Sequence, residues 1–244
     1  MGWLYLAVVI VLSTALWPLS RWALSGDGHP RVMGFWLCLT AGAASLAALL
    51  ARGAPILVPS LWIVAILFSV AYAVGFIILI MRCLQIGPAG PTATINNSAM
   101  IFGVLYGVLW LDPHVPSVWI LAGVAGVLAA LVMVGLGRDS GAAQARPSGR
   151  GWLPMVLAGG AFSGVSFMAQ TYVGLRHPGL DSCLLYAGVG FSLSAVILFL
   201  SVARTPMILI QSKRERVGGI ALGLLNTVST PLTILAFKLL GSEI

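Results

Sequence analysis

The chain has 244 residues, of which 59% are hydrophobic and 8% are charged, and its formal net charge is +7. Soluble domains carry about 25% charged residues, so this composition excludes a soluble globular protein and indicates lipid as the solvent. The basic excess is typical of the loops between membrane helices and does not indicate nucleic-acid binding.

Eight mostly apolar stretches are long enough to cross a bilayer, which takes about 20 residues. They are bounded by charged residues, proline or glycine, and none alternates apolar and polar residues as a β-barrel strand does. The sequence therefore predicts an all-α polytopic membrane protein with eight transmembrane helices. The stretches are 3–24, 32–51, 61–84, 92–111, 116–136, 152–173, 183–203 and 217–240.

The first stretch carries a polar and aromatic stripe on one helical face. Ser13, Trp17, Ser20 and Arg21 follow one another at i, i+4, i+7 and i+8. Polar groups cost free energy inside a bilayer, so we expect this face to line a substrate cavity, with Ser13 and Trp17 as contacts. Hydrogen bonding between helices is the alternative role for such residues.

The third stretch carries an aromatic stripe formed by Phe68, Tyr72 and Phe76, at i, i+4 and i+8. Tyr72 is the candidate cavity contact of this stripe, which would form an aromatic wall of the cavity. Packing against the core or against lipid is the alternative.

The fourth stretch begins with two asparagines, Asn96 and Asn97, about 100° apart around a helix. Asn96 lies in line with Gly103 and Gly107, a GxxxG spacing that permits close approach of a second helix. We therefore expect Asn96, Gly103 and Gly107 to pack against another helix, and Asn97 to face the cavity.

The sixth stretch repeats the stripe of the first. Ser163, Phe167, Gln170 and Thr171 have the same spacing at an offset of 150 residues. The eighth stretch carries Asn226, Thr230 and Thr233 at i, i+4 and i+7. The expected cavity contacts from these two stretches are Phe167, Gln170, Asn226 and Thr230.

The basic residues divide unequally between the two ends of the predicted helices. Ten lie after stretches one, three, five and seven, and three lie at the other ends. The positive-inside rule predicts that the ten face the cytoplasm and that the N-terminus lies outside. We expect the protein to be a multi-pass component of a bacterial-type inner membrane.

Short motifs recur in the same order at matching helix junctions. His29-Pro30 follows the first stretch and His177-Pro178 the sixth; ARGAP follows the second and ARTP the seventh. ILIMRCL closes the third and ILAFKLL the eighth, which matches Arg82 with Lys238. We expect these two side chains to reach lipid headgroups, with attraction of anionic substrates as the alternative.

The first copy contains five helices. Because this number is odd, the second copy enters the membrane from the other side and is inverted relative to the first. The predicted domains are a first repeat over 1–136, a polar linker over 137–151 and a second, incomplete repeat over 152–244. Counterparts of helices four and five are missing from the second copy. The sequence is either a piece of a longer chain or an eight-helix variant completed by a partner. We expect a piece of a longer chain, because an eight-helix variant would leave faces of helix eight and its neighbours without helices to pack against.

Residues 82–136 contain a glycine-containing turn, a helix, Asp112, and Trp119 seven residues later at the start of the last helix of the repeat. This passage resembles the repeat ending of EamA-type members of the drug/metabolite transporter superfamily, which usually have glutamate where Asp112 stands. The resemblance implies ten helices in two five-helix repeats and a transport function.

The function expected is transport of a small metabolite or amphipathic solute by alternating access. The alternative is a non-transporting membrane subunit, such as half of a flippase or an assembly partner. No enzyme motif is present in the sequence, and we expect no metal and no cofactor; the three cysteines lack metal-site spacing. The expected partners are the lipid bilayer and a small-molecule solute, with a homo- or hetero-oligomer left open and no nucleic acid.

The six acidic residues all lie in predicted loops or at helix ends. We therefore expect that transport is not coupled through a carboxylate at the bilayer midplane.

Overall fold

The structure, a computed structural model, describes residues 2–26, 28–111 and 151–242, with isolated helical residues at 123, 125, 126 and 129. Within these ranges there are seven long helices and no strand. They are α1 (Gly2–Ala23), α2 (Pro30–Ala51), α3 (Pro59–Ile86), α4 (Ala89–Leu111), α5 (Trp152–Arg176), α6 (Leu180–Val202) and α7 (Lys213–Ser242). A single helical turn, Ile208–Gln211, precedes α7.

The all-helical membrane class is confirmed for the described residues. Six of their helices, α2 to α7, are long and apolar enough to span a membrane. In α1 the apolar run Ala7–Ala23 is shorter. The predicted stretch 116–136 lies outside the continuously described residues, so the count of eight transmembrane helices stays a prediction.

Proline and glycine mark where these helices begin and end. Pro30 and Pro59 occupy the first positions of α2 and α3, where a missing N–H leaves no bond unmade. Gly53 follows α2 with a φ of +64°, a left-handed conformation that glycine adopts without strain.

The middle of α3 departs from α-helical winding. Residues Ala71–Ile80 form a π-helix, whose hydrogen bonds span five residues instead of four. Such segments are rare and frequently occur at functional sites. Tyr72 and Phe76 of the predicted aromatic stripe both lie in this segment.

The principal contacts join the first four helices to the last three. α2 packs along α6 and α7, α1 packs along α7, α3 packs against α5 and α6, and α4 packs against α5. A hydrogen bond from the Ser194 hydroxyl of α6 to the Ser69 carbonyl of α3 crosses this seam at 3.1 Å. The two parts of the chain are thus packed into one another and share a core.

The core lies where α2, α3 and α6 meet. Its largest fully buried side chains include Tyr186, Phe68, Phe191, Met33 and Leu37. Phe68 contacts both Tyr186 and Phe191, with ring centroids 5.1 and 5.2 Å away. This aromatic cluster holds the first half of α3 in place. The position of the first half in turn sets where the second half of α3 lies relative to α1 and α5.

Candidate functional site

A cavity of about 120 Å³ lies between α1, α3, α4, α5 and α7. The side chains that the sequence nominated as cavity contacts all line it, although they come from helices far apart in the chain. They are Ser13, Trp17, Tyr72, Asn97, Phe167, Gln170, Asn226 and Thr230. Their role as substrate contacts stays a prediction.

The α3 side of the cavity is a ladder of three aromatic rings. Phe68 and Tyr72 have centroids 5.2 Å apart, and Tyr72 stacks on Phe76 at 5.0 Å with an interplanar angle of 29°. Trp17 of α1 meets Phe76 edge-on at 6.2 Å. The rings form a continuous apolar wall, in which Phe68 is fully buried and the half-buried Tyr72 and Phe76 can contact a planar or aliphatic group.

One buried polar atom in the cavity, the Tyr72 hydroxyl, lacks a hydrogen-bond partner among the described residues. The side-chain amide of Gln170, a residue 8% exposed, also makes no hydrogen bond to any described residue. Buried polar groups are almost always paired, so the Tyr72 hydroxyl is suited to bonding a solute or water inside the cavity, and the Gln170 amide can bond the same molecule.

The α7 side of the cavity adds hydroxyl and amide groups. Asn226 donates its side-chain amide to the Leu222 carbonyl one turn earlier, at 2.9 Å, so its amide oxygen remains an acceptor. Thr230 lies one turn further along the same face and is 7% exposed. This side therefore offers hydrogen-bonding groups to the same cavity that the aromatic ladder lines.

The predicted packing residues of α4 lie against α5. A Cβ atom added to Gly103 would lie 2.9 Å from Thr171 Oγ1 and 3.1 Å from the Phe167 carbonyl oxygen, and one added to Gly107 would lie 3.1 Å from Thr171 Cγ2. The Ser163 hydroxyl donates to Asn96 Oδ1 at 2.7 Å. A side chain in place of Gly103 would crowd both Thr171 and the α5 backbone, whereas at Gly107 only the Thr171 side chain would have to shift.

The position of Asn96 differs from the expectation that Asn97, and not Asn96, would face the cavity. Asn96 lines the cavity as well as the α4–α5 contact, and it is buried, whereas Asn97 is exposed. The cavity reaches around the edge of α4, so residues about 100° apart both border it. Ser166 and Ser229 also line the cavity and were missed, although each is three residues after a nominated or stripe position.

Charged side chains lie away from this cavity. None of its described lining residues is Asp, Glu, Lys, Arg or His. Asp181 pairs with Arg52 near the surface, and Glu215, at the start of α7, accepts the backbone N–H of His29 at 3.3 Å. The other four acidic residues lie outside the described ranges. Among the described residues there is no group of three His, Cys, Asp or Glu side chains that could hold a metal ion.

A bundle of apolar helices around a neutral, polar and aromatic cavity indicates a multi-pass integral membrane protein. Residues 1–135 match the profile of the EamA-like transporter family. The match covers more than half of the chain, which therefore belongs to this family, and the resemblance to the drug/metabolite transporter superfamily is confirmed. Searches of curated proteins and of solved structures returned no match.

Proposed function

We propose that this chain carries a small, uncharged, amphipathic solute across the membrane and binds it in the cavity between α1, α3, α4, α5 and α7. The observation that carries the proposal is the composition of the lining, which combines stacked aromatic rings with amides and hydroxyls and contains no ionic side chain among its described residues.

The lining favours a solute with two different sides. Trp17, Tyr72 and Phe76 offer ring faces to an apolar side, while Gln170 and the Tyr72 hydroxyl offer unpaired hydrogen-bonding groups to a polar side. An ionised solute would lose its hydration here without gaining an opposite charge, which is costly. The volume of about 120 Å³ is below that of sites for drug-sized ligands, which favours a small solute.

Alternating access of two inverted repeats is the proposed mechanism. Trp17 of α1 and Phe167 of α5 occupy equivalent positions in the two predicted copies and border the same cavity, as expected for a site between repeats. The cavity also lies on the seam between the first four helices and the last three. Pro18 and Pro231 interrupt the backbone hydrogen bonding of α1 and α7, which provides points where these helices can bend.

The test is solute counterflow in vesicles that contain only this chain. The vesicles are loaded with a panel of uncharged aromatic and aliphatic alcohols and amides, and exchange is followed by mass spectrometry. We expect saturable exchange of at least one panel member, reduced about tenfold by Trp17→Ala and by Gln170→Ala because each removes a contact worth roughly 1–2 kcal/mol.

The matched control is Leu200→Ala, on α6, where the side chain is 67% exposed and outside the cavity. This variant should exchange solute as the unchanged chain does. Unaltered exchange in both cavity variants would reject this cavity as the binding site. Exchange that appears only when a second membrane protein is added would instead support the alternative, a subunit that needs a partner.

A further inference from the structure

A second cavity, of about 420 Å³, lies at the end of the bundle where α2 begins and where α3 and α6 end. Two arginines, Arg31 of α2 and Arg82 of α3, line it together with the hydroxyl-bearing Ser201 and Thr205. It shares no lining residue with the cavity between α1, α3, α4, α5 and α7. We call it the basic pocket.

The two arginines of the basic pocket bond only neutral acceptors among the described residues. Arg31 donates from Nη1 to the Ser201 carbonyl at 3.3 Å, and Arg82 donates from Nη1 to Gln85 Oε1 at 2.8 Å. Each guanidinium has five N–H donors, so most of its donors remain for another acceptor. By contrast, Arg52 at the other end of the bundle pairs with the carboxylate of Asp181.

The remaining surroundings add to this positive potential. The pocket includes Pro30 and Val32 in the first turn of α2, and the N-terminus of a helix carries a partial positive charge. Glu215 contacts this segment through the His29 amide but does not line the pocket. The described lining therefore combines positive charge and hydroxyl groups without a carboxylate.

The rest of the lining is apolar. Ile78, one turn before Arg82, faces the same space as Val32, Val202 and Ile208. A pocket that is basic on one side and aliphatic on the other, placed at the end of membrane helices, matches an anionic headgroup attached to apolar chains. Basic pockets of this kind between transmembrane helices recognise anionic lipid headgroups.

We propose that the basic pocket binds a phosphate group, held by the guanidinium forks of Arg31 and Arg82. Guanidinium groups match the geometry of phosphate oxygens and bond them bidentately. Two sources carry this group at a membrane surface, an anionic phospholipid and free inorganic phosphate, and the experiment separates them.

The first arm measures lipid binding by native mass spectrometry of the full chain, delipidated in detergent and titrated with phosphatidylglycerol. We expect one saturable site whose affinity falls about tenfold in the double variant Arg31→Gln/Arg82→Gln. The lysine double variant, Arg31→Lys/Arg82→Lys, should show an intermediate affinity because it keeps the charge and loses the fork.

The matched control is Arg204→Gln, an exposed arginine beside Thr205 that does not line the pocket. It should bind lipid as the unchanged chain does. Both pocket arginines are also exposed, so the glutamine variants should fold, which size-exclusion chromatography and thermal unfolding will check.

The second arm titrates the same delipidated protein with inorganic phosphate and follows ³¹P line broadening. Broadening that is lost in Arg31→Gln/Arg82→Gln, and that added phosphatidylglycerol abolishes in the unchanged chain, identifies free phosphate as a ligand. Lipid binding without phosphate broadening identifies the phospholipid headgroup as the ligand. Equal binding of both ligands by the unchanged chain and the double variant, or an equal loss in Arg204→Gln, would overturn the proposal.

Discussion

Tyr72 and Tyr186 carry the same buried hydroxyl in two different settings. Neither hydroxyl has a hydrogen-bond partner among the described residues. Leaving a buried hydroxyl unpaired costs about 1–3 kcal/mol, so its retention calls for a reason. Tyr72 lines the cavity and can be paired by a solute, whereas Tyr186 lies in the core beside Phe68.

The first prediction at the residue scale concerns Tyr72→Phe. The change removes a hydrogen bond to the solute and should raise the KM of counterflow about threefold to tenfold. It should not lower the free energy of unfolding, because the hydroxyl it removes is unpaired in the empty site. Tyr186→Phe makes the same chemical change outside the cavity and should leave KM unaltered. An equal KM for both variants would contradict a solute contact at Tyr72.

Single residues also show how far the sequence located the site. Helical spacing identified Trp17, Phe167 and Gln170 as members of polar or aromatic faces, because the period of a helix fixes which residues share a face. It did not identify what lies opposite each face. Thr171, a member of the predicted stripe, packs against Gly103 and does not line the cavity, and only the position of α4 decides this. Arg21, the last member of the first stripe, does not line the cavity either.

At the scale of elements, the contact between α4 and α5 depends on the absence of side chains. Gly103 stands close to α5, while Gly90, in the first turns of the same helix, has no atom within 4 Å of the position of a Cβ. The two glycines therefore offer a matched pair of substitutions in one helix.

We expect Gly103→Ala to lower the free energy of unfolding by about 1–3 kcal/mol, because its methyl group would overlap Thr171 and the Phe167 carbonyl. Gly90→Ala should be neutral or stabilising by up to about 1 kcal/mol, since alanine is the better helix former. Unfolding in detergent, followed by circular dichroism, measures both. Similar effects of the two variants would show that α4 does not depend on close approach to α5.

The winding of α3 marks the limit of prediction for elements. Hydropathy placed the third stretch at 61–84, and the structure extends that helix to Pro59–Ile86. Nothing in the run AYAVGFIILI, however, distinguishes a π-helix from an α-helix. Both windings bury the same apolar residues in lipid or protein, so the choice depends on the neighbouring helices that pack against α3.

For the whole molecule, hydropathy was enough to locate the helices but not their arrangement. A bilayer satisfies no backbone hydrogen bonds, so each long apolar run has to be a helix wherever it packs. The packing of α2 between α6 and α7 and the meeting of Arg31 with Arg82 in one pocket join residues that no sequence period relates. The repeated motifs indicate which helices of the two predicted copies correspond, but they do not indicate which helices contact one another.

The distribution of charge over the whole molecule supports a definite orientation in the membrane. Seven described basic residues lie at the end that holds the basic pocket, and three lie at the other end. The seven are Arg21, Arg31, Arg82, Arg204, Lys213, Arg214 and Arg216; the three are Arg52, Arg176 and Lys238. Because basic loops are retained in the cytoplasm, the basic pocket should open toward the cytoplasmic leaflet.

Two exposed prolines at opposite ends, Pro55 and Pro206, allow this orientation to be measured by cysteine labelling. The native cysteines Cys38, Cys83 and Cys183 are buried, which keeps background labelling low. A membrane-impermeant maleimide should label Pro55→Cys in intact cells and Pro206→Cys only in inside-out vesicles. The reverse pattern would place the basic pocket outside. Labelling of both variants from both sides would mean that the chain inserts in two orientations and that the excess of seven basic residues over three is too weak to fix one of them.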